Sequence, residues 1–302
     1  MKISFKHLLS GGIIGAVLLI TAFFSLPDGK LHLVFCDVGQ GDAIYMRTPD
    51  GSDILFDGGP NDKVLTCLGK HMPFYDRNLE LVLMTHPQKD HFQGLISVVE
   101  RYSVDYFVIG VEGNETAGYK ELVKNLKEKN VNLKNLYRGD QFFLDKVNFT
   151  VLWPDRSWVA EHTSSLDMTV AKMSGQGAVL GLATTANLND FSYYVLAEYG
   201  SFKALFTGDG DSQIQPEIMK TNYLQKIDVL KFPHHGSKTG VLPEFLEAIG
   251  SKLVVISVGK NSYGHPTKEA LEMLAGLGIK MLRTDLDGEV EIVSDGRTWE
   301  IR

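Results

Sequence analysis

The sequence has little cysteine. Its two cysteines, Cys36 and Cys67, stand beside apolar or small residues in segments that we expect to be buried. Because free cysteine is among the most frequently buried residue types, we expect two packed thiols rather than a disulfide. On that expectation, the cysteines say little about the compartment of the protein.

The chain also has fewer basic than acidic residues. The chain has 30 lysine and arginine residues against 37 aspartate and glutamate residues, a formal net charge of -7. This balance excludes a general electrostatic attraction to nucleic acid or to anionic lipid. A polyanionic substrate would have to be held by a local basic rim or by a bound cation.

Long apolar runs are absent except for one near the N-terminus. Residues 8–26 carry no charged side chain, and a helix of this length reaches about 28 Å, close to the hydrocarbon thickness of a bilayer. Lys2 and Lys6 precede the run, so the positive-inside rule keeps the N-terminus cytoplasmic and places the chain after Lys30 outside. We therefore expect a membrane anchor at residues 1–29 and an extracytoplasmic domain at residues 30–302. A cleaved signal peptide followed by secretion is the alternative, although the run ends in a poor cleavage site.

The rest of the sequence predicts one large α/β domain. With 44% hydrophobic residues, the chain can bury a single large core. Short β-rich apolar runs predict strands at residues 31–36, 54–56, 81–85, 104–109, 147–152, 193–197, 203–206, 229–232, 253–258, 280–282 and 289–293. Apolar residues at helical spacing predict helices at residues 119–129, 244–249 and 268–277. The alternation indicates two sheets between outer helices. Residues 153–189 fit least well and are expected to form a long surface excursion.

The strongest local signal follows the predicted strand at residues 81–85. Residues 85–91 read Thr-His-Pro-Gln-Lys-Asp-His and precede a glycine-containing segment, so a turn here would aim several side chains at one point. Imidazole and carboxylate are ligands that zinc prefers, with bonds of about 2.0 to 2.2 Å. Taken alone, the segment has an ordinary polar loop as its alternative.

Other predicted strands end in the same kind of group. Residues 205–209 read Leu-Phe-Thr-Gly-Asp, and residues 230–237 read Leu-Lys-Phe-Pro-His-His-Gly-Ser. A further strand, residues 54–56, runs into Asp57-Gly58-Gly59. Chance seldom produces so many apolar strands that end in metal-competent side chains. The sequence therefore predicts a metal site built from distant segments.

This set resembles the metallo-β-lactamase superfamily, and within it the ComEC-like competence hydrolase domain. The residues that carry the resemblance extend from about residue 31 to the C-terminus in the family's order: Asp37-Val38-Gly39-Gln40-Gly41-Asp42, Asp57-Gly58-Gly59, residues 86–91, Thr207-Gly208-Asp209, Pro233-His234-His235-Gly236-Ser237 and Asn261-Ser262-Tyr263-Gly264-His265-Pro266. The resemblance implies an αββα sandwich with a metal site at one edge, between the two sheets. There an activated water attacks an ester, amide or phosphodiester.

The resemblance also implies the ligands of one metal ion. They would be Asp90, His91 and one histidine of the pair His234 and His235, with Asp209 placed to bridge two ions. We favour His235, because adjacent side chains on an extended backbone diverge and the other histidine would then face substrate.

Further residues would orient the ligands or face the substrate. Asp57 would accept a hydrogen bond from a ligand imidazole or a loop amide, although it could equally be a turn carboxylate before two glycines. His265 would face a leaving group or an oxyanion, with an exposed turn histidine as the alternative. The supporting residues implied beside Asp57 are Asp37, Asn189, Ser192 and Lys238.

Two positions depart from the family pattern. Gln88 stands where the family usually has His or Asp, and an amide oxygen is a much weaker ligand. The superfamily's further histidine is not evident, because Asn189-Asp190-Phe191-Ser192 stands in its interval and His162 lies in the irregular stretch. A site formed by His86 and Gln88 is therefore short of strong ligands. We expect one tightly bound zinc ion and a second that is weak or substrate-assisted, with manganese as an alternative metal.

The competence branch implies a nuclease or phosphodiesterase at the cell surface that acts on a single DNA strand. Asp90 or Asp209 would accept the proton of the attacking water. His234, His265 or Lys238 would face the departing oxygen.

Two other functions fit the same residues. One is hydrolysis of a small ester, lactam or cell-surface phosphodiester, for which the acidic net charge is no handicap. The other is a catalytically weakened binding module, because Gln88 and the missing histidine are also typical of a decayed site. Lysines flank the site loops at positions 231, 238, 260 and 268, but scattered lysines are usually solubilising surface and favour the nuclease only modestly.

Overall fold

Two β-sheets face each other in the computed structural model, which describes residues 26–163, 178 and 180–302. The first sheet contains, in spatial order, β15 (Trp299–Ile301), β14 (Val290–Ser294), β1 (Leu31–Phe35), β2 (Ile44–Arg47), β3 (Asp53–Phe56), β4 (Asn78–Leu83), β5 (Ser103–Val108) and β6 (Asn132–Lys134). The second contains β13 (Lys280–Arg283), β12 (Leu253–Ile256), β11 (Val229–Lys231), β10 (Phe202–Phe206), β9 (Tyr194–Tyr199), β8 (Val147–Trp153) and β7 (Gln141–Leu144).

Helices cover the outer face of each sheet. The helices described are α1 (Lys63–His71), α2 (Lys89–Arg101), α3 (Ala117–Glu128), α4 (Arg156–His162), α5 (Gln215–Met219), α6 (Pro243–Ile249), α7 (Lys268–Gly276) and α8 (Thr284–Asp287). The first three pack on the first sheet, and α5, α6 and α7 pack on the second. The layers therefore follow the order helix, sheet, sheet, helix, which is the expected αββα sandwich.

Aliphatic and aromatic side chains fill the space between the sheets. Strand β3 shows the alternation that produces this core, because Ile54 and Phe56 face the second sheet while Leu55 faces the helices. The rings of Phe56 and Phe206 stack across the sheets with 4.4 Å between their centroids. Truncating such a buried phenylalanine to alanine costs about 3–5 kcal/mol, so this layer holds the two sheets in a fixed relation.

The direction of the strands determines where functional side chains meet. Strands β3 to β6 run parallel to one another in the first sheet, and strands β10 to β13 run parallel in the second. Parallel strands end at the same edge of a sheet, and the loops that follow β3, β4, β10, β11 and β12 carry the candidate site residues. Those residues therefore collect at one edge of the sandwich.

Residues 89–101 form helix α2, where the sequence indicated a turn and a glycine-containing segment. Gly94 lies inside this helix, and its missing side chain leaves room for close packing. A Cβ atom at this position would lie 2.0 Å from the carbonyl oxygen of Gly58 and 2.6 Å from that of Asn61. The glycine thus allows α2 to approach the loop after β3.

The expected surface excursion at residues 153–189 contains helix α4. The Asp155 side chain begins this helix by accepting hydrogen bonds from the backbone N–H groups of Ser157 and Trp158. At its end, the His162 ring stacks on Trp158 with 4.2 Å between centroids, and its Nδ1 lies 2.8 Å from the Trp158 carbonyl oxygen. Residues 164–177 and 179 lie outside the described residues.

Cys36 and Cys67 form a disulfide, so the expectation of two free thiols is wrong. Both are buried, as expected, but the end of β1 and the inner face of α1 bring their Cα atoms to 5.9 Å, within the range that a disulfide requires. The two residues are 31 positions apart. The sequence alone did not reveal that these two elements touch.

The predicted membrane-spanning segment, residues 8–26, lies outside the described residues except for Leu26. In the part of the chain that is described, no helix combines the length and the apolar character needed to cross a bilayer.

Candidate metal centre

Four donor side chains from three segments of the chain converge at the edge between the sheets. Each of Asp90, His91, Asp209 and His235 offers one ligand atom, and these atoms all lie within 4.8 Å of one another. Asp90 and His91 stand in the first turn of α2, Asp209 follows β10, and His235 follows β11. Segments far apart in the sequence therefore bring their side chains together, as the sequence predicted.

The donor atoms are spaced as ligands of one ion would be. The Asp209 carboxylate oxygens lie 3.3 Å from His91 Nε2 and 3.2 Å from His235 Nε2, and His235 Nε2 lies 3.4 Å from Asp90 Oδ2. Four tetrahedral ligands at about 2.1 Å from zinc stand roughly 3.4 Å apart. The two Nε2 atoms and Asp209 Oδ1 are buried and have no hydrogen-bond partner in the described structure. These residues therefore fit a divalent cation.

The His91 ring is oriented by the loop after β3. Its Nδ1 lies 2.8 Å from Asp57 Oδ2, which leaves Nε2 facing the other donors. Asp57 also accepts hydrogen bonds from the backbone N–H of Thr85 at 2.7 Å and from its hydroxyl at 2.8 Å. The carboxylate thus fixes both the His91 imidazole and the Thr85 loop amide, which are the contacts proposed for it from the sequence.

The His235 ring is fixed by a backbone carbonyl. Its Nδ1 donates to the carbonyl oxygen of Ser257, at 2.9 Å, just beyond β12. The backbone at His234 and His235 is left-handed, with φ of 50° and 53°, inside the 3₁₀ turn Pro233–Gly236. The two histidines do point to different surroundings, but the extended backbone assumed from the sequence is wrong.

Asp209 is held by its own loop and by Ser192. Its backbone N–H donates to the Ser192 hydroxyl at 3.2 Å. The preceding residue, Gly208, has a φ of +51°, and a Cβ there would lie 2.7 Å from the Thr85 side chain. Only glycine accommodates both the conformation and the close approach.

A buried ion pair between Asp42 and Lys231 lies behind the four donors. From the sequence, Asp42 was named only within a family motif and Lys231 only as a lysine that flanks the site loops, so their pairing was not predicted. The ammonium group of Lys231 contacts the Asp42 carboxylate, lies 3.6 Å from Asp209 Oδ1 and donates to the carbonyl oxygen of Gly208 at 2.8 Å. Asp42 in turn lies 3.8 Å from His91 Nδ1 and 3.6 Å from His235 Nδ1. The signal that could have indicated this pair is a lysine inside an apolar strand.

The imidazoles of His91 and His235 and the carboxylate of Asp209 stabilise one another's charges when no cation is bound. Burial lowers the pKa of His91, but Asp209 and Asp57 raise it well above its ordinary value. Burial also lowers the pKa of His235, and Asp209 raises it to about 10. Burial raises the pKa of Asp209, but His235 and His91 hold it well below its usual range. A cation that binds here displaces protons from the imidazoles.

His86 and Gln88 lie beside the four donors rather than among them. The His86 ring is fully buried, stands 4.2 Å from the His91 ring, and its Nε2 has no described hydrogen-bond partner. Burial lowers the pKa of His86 to about 3, so the imidazole is neutral. Gln88 precedes α2 and lines the adjoining cleft. The weak second metal position assigned to this pair stays a prediction.

His234 and His265 stand together in the cleft. Their ring centroids are 5.4 Å apart, and Asn189 Nδ2 lies 3.5 Å from His234 Nε2. Burial and the neighbouring imidazoles lower the pKa of His265. Asn189, Ser192 and His265 therefore lie at or behind the site.

Asp37 and Lys238 are placed differently from the other supporting residues. The Asp37 carboxylate is exposed, lies 3.9 Å from Lys63 Nζ and accepts from the backbone N–H of Gly39. Asp42, two residues before β2, lies behind the donors instead of Asp37. Lys238 is an exposed residue after the His234-His235 turn.

The donors open into a cleft of about 530 Å³. Its lining combines the metal donors Asp90, Asp209 and His235 with residues from the loops before α2 and after β12. Two exposed lysines, Lys89 and Lys260, stand at its rim.

Comparison with solved structures identifies the fold. The metallo-β-lactamase fold protein YhfI of Bacillus subtilis superimposes with a TM-score of 0.51 at 13% identity, over 87% of this chain and 99% of that protein. The chain therefore has the metallo-β-lactamase fold.

Sequence relatives narrow the class. The chain is 24% identical to ComE operon protein 3 of Bacillus subtilis, over 94% of this chain and 36% of that protein. It is 26% identical to competence protein ComA of Neisseria gonorrhoeae, over 91% of this chain and 35% of that protein. No protein-family model matches. The similarity to the ComEC-like competence proteins is confirmed, and the chain spans about a third of the length of these relatives.

Proposed function

We propose that this protein is a metal-dependent phosphodiesterase that cleaves single-stranded DNA outside the cytoplasm. The observation that carries the proposal is the convergence of Asp90, His91, Asp209 and His235. The carboxylate oxygens and imidazole nitrogens that contact one another in this group are 3.2 to 3.4 Å apart. The chain is similar to competence proteins that are about three times as long. This similarity supports DNA as the substrate.

The chain's own residues would hold the ion and handle protons. When bound, a divalent ion polarises the attacked group and activates water, which lowers the barrier to hydrolysis. Asp90 is the better acceptor for the proton of the attacking water, because its side chain is 29% exposed while that of Asp209 is 1% exposed. Burial raises the pKa of Asp90, but the adjacent His235 imidazole, 3.4 Å away, lowers it to about 2, so the carboxylate is ionised.

The departing oxygen would face the histidines on the other side of the cleft. A neutral His265 keeps one ring N–H with which to donate a hydrogen bond. His234 stands beside it, and Lys238 follows on the same turn. Among these, His265 and His234 line the cleft together with the metal donors.

Charge at the rim supports a polyanionic substrate despite the net charge of -7. Lys89 and Lys260 are exposed at the cleft and form no ion pair with the described residues. Cations that have no acidic partner remain available to phosphate groups. This local basic rim is what an acidic protein needs in order to bind nucleic acid.

The Cys36–Cys67 disulfide supports an extracytoplasmic location. Disulfides persist in oxidising compartments and are rare in the cytosol. We propose that residues 8–26 anchor the chain in the membrane with the metal centre outside. Protease protection of the full chain in spheroplasts tests this orientation, and cleavage only after lysis would contradict it.

Cleavage of labelled single-stranded DNA by the full chain, with zinc or manganese and with a chelator, tests the proposed activity. We expect metal-dependent cleavage, with a loss of at least about 100-fold in Asp90→Ala and in Asp209→Ala. Asp37→Ala, at an exposed carboxylate away from the donors, is the matched control. Activity that persists in both site variants would show that the site is assigned wrongly. Cleavage of a lactam or small ester but not of DNA would favour a hydrolase of small substrates. DNA binding without any cleavage would favour a binding module.

We further propose one tightly held ion per chain. The four donors form a complete tetrahedral set, whereas the neighbouring position has only His86 and the amide of Gln88 beside the shared Asp209. Metal analysis of dialysed protein tests this count. Two ions that both survive dialysis would contradict it.

A further inference from the structure

The loop from Lys260 to His265 is rigidly held at the rim of the cleft. Asn261 anchors it by four hydrogen bonds from one side chain. Its Nδ2 donates to the carbonyl oxygens of Gly259 and His265 at 2.8 and 2.7 Å. Its Oδ1 accepts from the backbone N–H groups of Tyr263 and His265 at 3.0 and 3.1 Å. The backbone that carries Tyr263 is therefore fixed before any substrate arrives.

The Tyr263 ring is exposed on this fixed backbone. The residue is 73% exposed, although it is a large aromatic residue that lines the cleft. Ring-to-ring steps of 5.9, 5.4 and 6.4 Å lead from Tyr263 through His265 and His234 to the ligand His235. An open aromatic face thus stands within the span of a short oligonucleotide from the metal donors.

The surroundings of Tyr263 fit a phosphodiester strand. Lys260 is three residues before it on the same loop, and Lys89 belongs to the opposite side of the cleft, next to Asp90. Neither lysine forms an ion pair within the described part of the chain. Unengaged cations that track a backbone, together with an aromatic ring on which a base can stack, are the combination by which proteins hold single strands.

We propose that Tyr263 is a stacking platform for one nucleobase next to the scissile phosphodiester. The inference rests on the proposed function and deepens it, because it makes an unpaired base part of what the site recognises. In a duplex, the faces of a base are covered by its neighbours, so a rim aromatic favours a single strand.

A cycle that combines a protein substitution with deletion of a base tests the platform. The full chain, loaded with zinc, is titrated into a fluorescent ten-nucleotide strand with hydrolysis-resistant phosphorothioate linkages. One abasic site is moved along the strand. For the native protein, one abasic position raises Kd by at least about fivefold. In Tyr263→Ala that penalty disappears, and in Tyr263→Trp it is retained. Phe143→Ala removes an aromatic residue that is 71% exposed at a distant edge strand, and it keeps the native profile.

The outcomes separate this inference from the proposed activity. An abasic profile that is unchanged in Tyr263→Ala, a flat profile in the native protein, or no measurable binding overturns the platform. Cleavage of unmodified DNA is measured in parallel. If unmodified DNA is cleaved but the abasic penalty does not depend on Tyr263, the platform is refuted and the nuclease stands. If the penalty depends on Tyr263 but DNA is not cleaved, the platform is supported and the nuclease is refuted.

Discussion

His91 Nδ1 lies 2.8 Å from Asp57 Oδ2, and this contact directs the other ring nitrogen of His91 toward the metal donors. A carboxylate in this position sets the tautomer and the basicity of a ligand histidine. We predict that Asp57→Asn weakens zinc binding about 10- to 100-fold. Competition with a chromogenic chelator measures the change.

Asp37→Asn is the control for this experiment. It also removes a negative charge, but from an exposed residue that pairs with Lys63. Its zinc affinity should match that of the native protein. If Asp57→Asn binds zinc as tightly as the native protein does, the Asp57 contact does not orient the ligand.

Metal binding should strengthen as pH rises. In the metal-free protein His235 has a pKa of about 10 and the pKa of His91 is also raised, so both imidazoles hold protons at neutral pH. A cation must displace these protons, which makes binding weakest at low pH and stronger as pH rises toward 10. We expect affinity to increase by up to about 100-fold per pH unit if two protons leave. Calorimetry in buffers of different ionisation heat counts the protons, and release of none would refute the prediction.

Removal of the disulfide should destabilise the fold. The Cys36–Cys67 bond closes a loop of 31 positions, for which chain entropy gives about 3–4 kcal/mol. The double variant Cys36→Ala, Cys67→Ala should lose stability of that order in urea unfolding. A reductant should destabilise the native protein but not the double variant. Two reactive thiols in the denatured, unreduced protein would show that the bond does not form.

Glu112 should make stability fall as pH rises. Burial raises its pKa from 4.5 to about 8, and its Oε1 has no hydrogen-bond partner in the described structure. Between these two values the unfolded chain ionises while the folded one stays protonated, so stability falls by up to about 1.4 kcal/mol per pH unit. Glu112→Gln should therefore stabilise the protein increasingly from pH 5 to pH 8 in urea unfolding. The exposed neighbour Glu115→Gln is the control, and a gain from Glu112→Gln that does not change with pH would contradict the argument.

Sequence patterns located the strands well, because apolar alternation reports burial directly. Each predicted strand, from residues 31–36 to residues 289–293, overlaps an observed one. Helix α2 was not predicted, because residues 85–91 indicated a turn followed by a glycine-containing segment. Gly94 lies inside this helix, where its lack of a side chain allows a tight contact with Gly58. Strands β2, β6, β7 and β15 were missed, and all of them are four residues or shorter, too short to show a period.

The candidate ligands could be named because their motifs match those of the family that the sequence resembles, but their surroundings could not be predicted. Asp90, His91, Asp209 and His235 sit in recognisable strand-end motifs. The Asp42–Lys231 pair and the disulfide depend instead on which loops meet in space, and local spacing carries no record of that. The left-handed backbone at His234 and His235 is likewise imposed by the turn rather than by residue type.

Anomalous diffraction at the zinc edge, from crystals of the zinc-loaded chain, tests the central claim most directly. The account predicts one strong peak at about 2.0–2.2 Å from the donor atoms of Asp90, His91, Asp209 and His235. A strong peak elsewhere, or none among these four side chains, would contradict it.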